Sequence, residues 1–200
     1  MNNGNNKLNP YILNLFKHHK DKLANFYSLN NEEKRDLFYD FYGAIPINNK
    51  IIGGEITKIF LKLGINPLNY MNFIPDWFLY GCTDIFNINI PDNVDEINDE
   101  AFAASGLTHI DLPKKLDRLH YGVFENCANL RYIEIPDGVS LIPRNCFKNC
   151  TNLESVIFPY KLDYIETGAF KNCISLEEII YPGRINDFLG VMVHLEIGWR

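Results

Sequence analysis

The sequence predicts an α+β protein in which an N-terminal α-helical cap precedes a parallel β solenoid of about five coils. The pattern of residues 124–146 recurs along the chain, with unit starts 23, 22, 23 and 23 residues apart. Each copy holds an L-x-x-I-x-I-like stretch that ends in proline, whereas residues 9–72 show apolar residues at helical spacing. A period near 23 with L-x-x-I-x-I inside it is typical of a leucine-rich repeat solenoid.

The chain divides into a helical cap or assembly module, residues 1–72, and a repeat solenoid with its C-terminal cap, residues 73–200. Residues 1–8 are rich in asparagine and are expected to be disordered. Asn9 and Pro10 form a helix start signal, with a capping side chain and a proline in the first turn. A helix of about 17 residues is predicted to bury one stripe. This stripe consists of Ile12, Leu15, Phe16, Leu23, Phe26 and Tyr27.

Two further helices complete the predicted cap. Asn30 and Glu33 form a capping box for a helix that ends at Gly43, with Leu37, Phe38, Phe41 and Tyr42 inward. After a loop, residues 55–63 form a third helix with Ile56, Ile59, Phe60 and Leu63 inward, and Asn66-Pro67 begins a short turn. Because a solenoid exposes the apolar edge of its first coil, these helices are predicted to cover that edge. The expected seam consists of Met71, Phe73, Ile74, Trp77 and Phe78.

Within each repeat the strand period of two places alternate residues inside and outside the coil. Ile133 and Ile135 are predicted inward, and Tyr132 and Glu134 outward. Proline then ends the strand, a second extended piece follows, and a segment with phenylalanine and cysteine turns the corner. Four of the five cysteines occupy the same repeat position, which indicates reduced thiols packed in the core. Cys146 with the cysteine four residues later resembles half of a zinc site, but packing is the favoured interpretation.

The repeat closely resembles the BspA-like leucine-rich repeats over residues 74–182. The matching residues are Ile90-Pro91, Val94, Ile97, Ala101-Phe102, Asn126-Cys127, Leu130, Ile133, Ile135-Pro136, Ala169-Phe170 and Asn172-Cys173. The last twenty residues also resemble the closing segment of that family, whereas residues 1–72 resemble nothing familiar. The resemblance implies a curved parallel β solenoid that binds other proteins. Members are known mainly as surface proteins of bacteria and some protists, and intracellular and virus-encoded forms also occur.

The outward strand positions form the candidate binding surface. A stacked sheet would place these side chains next to one another over about 20 to 25 Å at the usual strand spacing. Exposed apolar residues beside an aromatic side chain are typical of contact surfaces. The candidate partner-binding residues are Asn89, His109, Asp111, Tyr132, Glu134, Ile157, Glu178 and Ile180. The alternative is that the C-terminal segment folds over the two isoleucines.

Catalysis and cofactor binding are not predicted. His109 and Asp111 share one strand face, but no nucleophile is placed beside them, and Ser155 lies two coils away. No phosphate-binding loop, nucleophile elbow or zinc-protease motif occurs in the sequence. We therefore expect no cofactor, no metal and no enzymatic activity.

Bulk composition limits the classes of partner. A net charge of −6 disfavours nucleic acid, because phosphate binding needs a basic surface. No apolar run reaches the roughly 18 residues that a membrane span needs. The N-terminus lacks a secretory signal, so we expect a cytoplasmic or virion-associated protein.

Two functional hypotheses follow from these observations. In the first, the chain is a non-enzymatic interaction module that binds a protein partner through the outward face of its repeat sheet. In the second, it is a structural subunit of a larger assembly, such as a phage or virus particle, docked through the N-terminal helices. The second hypothesis also allows oligomers formed through those helices. Neither hypothesis names the partner.

Overall fold

The computed structural model of the chain describes residues 8–183, so the predictions for residues 1–7 and for the closing segment from residue 184 onward lie outside the described residues. Within this range, helices precede strands, which confirms the predicted α+β class. The helices are α1 (Pro10–His18), α2 (Lys20–Ala24), α3 (Asn31–Gly43) and α4 (Ile51–Lys62), with 3-10 helices at Phe26–Ser28 and Pro67–Tyr70. The strands are β1 (Phe73–Ile74), β2 (Glu96–Ile97), β3 (Arg118–Leu119), β4 (Tyr132–Glu134), β5 (Leu141–Ile142), β6 (Ser155–Ile157), β7 (Tyr164–Ile165) and β8 (Glu178–Ile180).

The first predicted helix is divided in two at His19, so the prediction of one continuous helix is wrong. Its start is as expected, because the Asn9 side chain accepts a hydrogen bond from the Tyr11 N–H at 2.9 Å. At the break, the His19 ring packs with its centroid 5.0 Å from that of Phe41 in α3. Tyr27 was predicted to be buried but is 79% exposed, because the helix does not continue to this position.

Helix α3 has the predicted start and the predicted buried face. The Asn30 side chain accepts a hydrogen bond from the Glu33 N–H, and the Glu33 carboxylate accepts one from the Asn30 N–H, both at 2.9 Å. This capping box satisfies two backbone N–H groups that the helix itself leaves without partners. The inward face is buried as predicted, at Leu37, Phe38, Phe41 and Tyr42.

Helix α4 begins four residues before the predicted start at Glu55. Gly53 and Gly54, predicted to lie in a loop, belong to its first turns, where the helix passes close to the first coil. A Cβ atom added at Gly53 would lie 2.4 Å from the Trp77 carbonyl oxygen, so the close approach requires glycine. Leu63, predicted to point inward, is 56% exposed because the helix ends one residue before it.

The helices cover the apolar edge of the first coil. The Tyr42 hydroxyl lies 2.7 Å from the Thr57 hydroxyl, and Thr57 donates a hydrogen bond to the Phe78 carbonyl oxygen. The predicted seam residues are buried or partly buried, namely Met71, Phe73, Ile74, Trp77 and Phe78. Because the apolar faces of α3 and α4 pack within the chain, docking on a larger assembly would have to use the outer surface of the helices.

Within residues 8–183, the coils contribute short strands to three parallel sheets, which we group into two ladders, the second of which consists of two separate sheets. The first ladder pairs β4 with β6 and β6 with β8, and the second pairs β1, β2 and β3 in order and β5 with β7. The strand predicted from L-x-x-I-x-I is confirmed in three coils, where Ile133 pairs with Val156 and Val156 pairs with Ile179. The predicted second extended piece is confirmed by β5, which belongs to the second ladder.

Aromatic rings and thiols fill the corner of each coil. The rings of Phe102, Phe124, Phe147 and Phe170 form a continuous stack, with neighbouring centroids 5.1 to 5.4 Å apart. Where a cysteine stands three residues after one of these phenylalanines, its thiol donates a hydrogen bond to a carbonyl group of the previous coil. The Cys150 thiol, for example, donates to the Phe124 oxygen at 3.1 Å. All five cysteines are buried and form no disulfide bond. Ser105 replaces cysteine in the unit that begins at Phe102, and its hydroxyl lies 3.4 Å from Cys127 Sγ.

Two series of corner positions adopt the left-handed backbone conformation. The first series is Trp77, Glu100, Gly122, Asn145 and Gly168, and the second is Gly81, Ala104, Asn126, Asn149 and Asn172. Glycine and asparagine adopt this conformation most readily, which explains their recurrence at these positions. The Asn149 amide donates to Asn126 Oδ1 at 2.8 Å, and the Asn172 amide donates to Asn149 Oδ1 at 2.7 Å. The three side chains therefore form an amide ladder along the solenoid.

Substitution of Gly53 by alanine tests the close contact between the cap and the first coil. We expect Gly53→Ala to lower the free energy of unfolding by about 1 to 3 kcal/mol, because the new methyl group overlaps the Trp77 carbonyl. Gly43→Ala is the matched control, since a Cβ atom at Gly43 meets nothing within 4 Å. Chemical denaturation followed by circular dichroism measures both changes. Equal stability of the two variants would contradict the contact.

Thiol reactivity tests whether the corners are closed. Burial raises the pKa of the Cys127 thiol to about 11 and those of Cys82 and Cys173 to about 12. At pH 8 only a small fraction of these thiols is ionised, and their sulfur atoms are buried. We therefore expect a thiol reagent to modify the folded protein at least about 100-fold more slowly than the protein unfolded in guanidinium chloride. One cysteine that reacts at the unfolded rate would show that its corner is open.

Candidate functional site

An open groove of about 600 Å³ runs along the outward side of the first ladder. One wall carries outward strand side chains, and the other is formed by the turns at the repeat prolines. We call it the strand-face groove. Four of the predicted partner-binding residues line it, namely Asp111, Tyr132, Glu134 and Ile157. The structure therefore brings half of the predicted set together in one concave surface.

Strand register places these side chains in two rows. Tyr132 lies opposite Ser155, which lies opposite Glu178 on the next strand. Glu134 lies opposite Ile157, which lies opposite Ile180, in the row next to the proline turns. The inward residue between the rows is fully buried in β4 and β6, so the strands are held firmly while their outward side chains are free to contact a partner.

The groove combines an aromatic ring, aliphatic surface and negative charge. The Tyr132 hydroxyl donates a hydrogen bond to the Glu134 carboxylate at 3.2 Å, and the tyrosine side chain is 39% exposed. Partial burial raises the pKa of Tyr132, and the nearby carboxylates of Glu134 and Asp111 raise it further. Asp137 adds another acid to the lining, and Lys114 adds a base. Acidic groups therefore outnumber basic groups among the side chains that line the groove.

The other predicted residues lie outside the groove lining. Asn89 is exposed, and its carbonyl oxygen accepts a hydrogen bond from the Asn66 side chain at 3.1 Å. The His109 ring contacts the Thr108 hydroxyl at 3.4 Å. Glu178 accepts a hydrogen bond from the Ser155 hydroxyl at 3.1 Å. Ile180 is 41% exposed, and the prediction that the C-terminal segment covers it lies outside the described residues.

The predicted continuous sheet over five coils is wrong. Residues 87–89 and 109–111 form no strand, and the first ladder contains three strands among residues 8–183. In these earlier coils the backbone pairs at single points, where the Thr108 N–H donates to the Phe86 oxygen at 3.1 Å and the Arg131 N–H donates to the Thr108 oxygen at 3.2 Å. These bonds keep the register of the later coils, where the Glu154 N–H donates to the Arg131 oxygen at 2.8 Å, but regular strand pairing in this ladder begins only at β4.

The sequence interpretation missed the second wall of the groove. Lys114, Asp137 and Pro182 line it, and the first two directly follow the repeat proline. The position after the proline varies between copies, with four residue types in five copies, namely Asp92, Lys114, Asp137, Tyr160 and Gly183. The period of two identified the outward strand positions, whereas the variation after the proline was the signal available for this wall.

The arrangement is suited to recognition by contact. Among residues 8–183, no three histidine, cysteine, aspartate or glutamate side chains are grouped so as to hold a metal ion. None of the helices in this range has the length and apolar character needed to cross a lipid bilayer. The groove offers a phenol, carboxylates and aliphatic surface, which are groups that bind side chains of another polypeptide.

Solved structures with similar coils come from several bacteria. The Leucine Rich Repeat protein of T. pallidum is 28% identical, with a TM-score of 0.55, and the match covers 57% of this chain and 54% of that one. A leucine rich cell surface protein of Faecalibacterium prausnitzii is 25% identical, with a TM-score of 0.48 and coverage of 54% and 35%. A leucine-rich repeat protein of Bacteroides ovatus is 24% identical, with a TM-score of 0.49 and coverage of 56% and 36%. The chain thus spans about a third to about half of the length of these proteins.

Comparison with curated proteins gives no match. The model of the BspA type leucine rich repeat region matches six copies over residues 72–190, which is one copy more than the spacing predicts. This match covers more than half of the 200 residues and agrees with the parallel ladders and the stacked corners described above. The chain therefore belongs to the BspA-type leucine-rich repeat family.

Proposed function

We propose that the chain is a non-enzymatic interaction module that binds a protein partner through the strand-face groove. The observation that carries this proposal is the meeting of Tyr132, Glu134 and Ile157 in one concave surface on a firmly packed sheet. Membership of a leucine-rich repeat family, whose members generally act as scaffolds for protein–protein interaction, supports it.

The chemistry of the groove indicates the kind of segment that would fit. An apolar side chain of the partner would pack on Ile157 and on the ring of Tyr132, which would bury aliphatic and aromatic surface. A basic side chain beside it would face Asp111, Glu134 and Asp137, three acids that line the same groove. Charge complementarity of this kind favours the correct partner and speeds its encounter with the site.

Peptide selection with matched variants tests the proposal. Peptides are selected from a random displayed library on the wild-type protein, and their Kd values are measured on Tyr132→Ala and Ile157→Asp. We expect each variant to weaken binding at least tenfold, or about 1.4 kcal/mol, because each removes a central contact. The matched control is Leu141→Asp on the second ladder, where the leucine is 38% exposed.

The control variant should bind the selected peptides within about twofold of wild type, and all variants should keep the circular dichroism spectrum of the folded protein. Peptides that bind both groove variants as tightly as wild type would place recognition on another surface. Equal losses in the Leu141→Asp control would show a general loss of fold rather than loss of a contact.

A further inference from the structure

A second groove lies between the helical cap and the first coil. It has a volume of about 420 Å³ and is lined mainly by aromatic and aliphatic side chains. Tyr39, Tyr42 and Ile47 line it from the cap, and Phe73 and Trp77 line it from the first coil. We call it the junction groove. It shares no lining residue with the strand-face groove.

The aromatic wall of the junction groove is preformed. The rings of Tyr39 and Phe73 stack with centroids 5.4 Å apart and an interplanar angle of 14°. Trp77 has a left-handed backbone with φ of 59°, and its indole N–H donates to the Glu100 carboxylate at 3.1 Å. Lys50 of the cap binds the same carboxylate. Because these contacts hold the wall in place, a ligand would bind without first ordering it.

The exposed aliphatic side chain of Ile47 forms one rim of the junction groove. Ile47 lies in the loop between α3 and α4 and is 82% exposed, although it borders an apolar surface. A partner that covers this side chain together with the adjoining aromatic wall would remove a continuous apolar patch from water, which favours binding.

The other end of the junction groove is acidic. A neighbouring cleft of about 270 Å³ shares Phe73, Asp76 and Asn98 with it and adds two acids, Asp99 and Glu96, and one histidine, His120. Glu96 Oε1 lies 3.1 Å from Arg118 Nη1 and 2.6 Å from His120 Nε2, so this carboxylate and this histidine are already paired. Asp76 and Asp99 accept backbone hydrogen bonds, but neither forms an ion pair with any residue of 8–183. Burial raises the pKa of Asp76, and the charge of Asp99 raises it further, so a nearby cation would stabilise both carboxylates.

We propose that the junction groove binds a segment of a protein partner in which a large apolar side chain lies next to an arginine or lysine. The apolar side chain covers Ile47 and the aromatic wall, and the basic group reaches Asp76. Arginine and lysine suit this path because their aliphatic stems pack along apolar surface while the charged end reaches a carboxylate. Their charge is also attracted to the faces of Tyr39 and Trp77. This surface is separate from the strand-face groove, so the chain holds two recognition sites.

Titration with short peptides tests the inference. The probe is acetyl-Gly-Leu-Gly-Arg-Gly-amide, and the comparison peptides carry glutamate in place of arginine or alanine in place of leucine. Binding is followed by the NMR shifts of backbone amides in residues 43–49 and 73–77 and of the Trp77 indole N–H. We expect saturable shifts with the arginine–leucine peptide and at least threefold weaker binding of each comparison peptide.

Matched variants make the assignment specific. Asp76→Asn keeps an acceptor for the Asp99 N–H and is expected to weaken binding of the arginine peptide about threefold or more, as is Ile47→Ser. The controls are Asp163→Asn and Ile174→Ser, and Ile174 is 81% exposed in the last described coil, which matches the exposure of Ile47. Both controls should bind as wild type does.

The outcome is independent of the strand-face groove. Tyr132→Ala should leave binding of the arginine peptide unchanged, whatever that variant does to peptides selected from the library. Equal binding of the glutamate peptide, full binding by Asp76→Asn, or shifts confined to residues 110–137 would each overturn the proposal.

Discussion

Backbone N–H groups at the corner of each coil donate hydrogen bonds to carbonyl groups of the next coil. This pairing makes the backbones of successive coils follow the same path. The N–H groups of Phe102, Phe124 and Phe147 donate to the oxygens of Val123, Cys146 and Ala169 at 2.7 to 3.0 Å. A side chain that points inward must therefore fit a space already defined by its neighbours. A side chain that points outward is under no such constraint, and recognition can use it.

That distinction explains how much of the fold could be predicted. Inward residues such as Ile133 and Phe147 repeat because the core demands them, so the period located them correctly. The start of α4 escaped prediction because Gly53 has low helix propensity, and only the approach of Trp77 from a distant part of the chain explains its place in a helix. The break at His19 likewise depends on a contact with α3 that no local pattern encodes.

The candidate site was predictable only in part. Strand periodicity placed Tyr132, Glu134 and Ile157 outside, and the stacking of coils then brought them into one groove. The groove has a second wall, however, which Lys114, Asp137 and Pro182 line, and the period of two applies to strands and not to the turns that follow the prolines. Asn89 and His109 lie outside the groove lining, and the first ladder begins at β4, after both of them in the chain.

The amide ladder has a direction, because in both of its hydrogen bonds the later asparagine donates to the asparagine of the coil before it. A duplicated coil would extend this chain by one link and leave both of its ends unchanged. The unit that begins at Phe102 has no such link, because Ala104 occupies the asparagine position there. Because a coil of a solenoid contacts only its neighbours, addition of one whole coil preserves the contacts on either side of it.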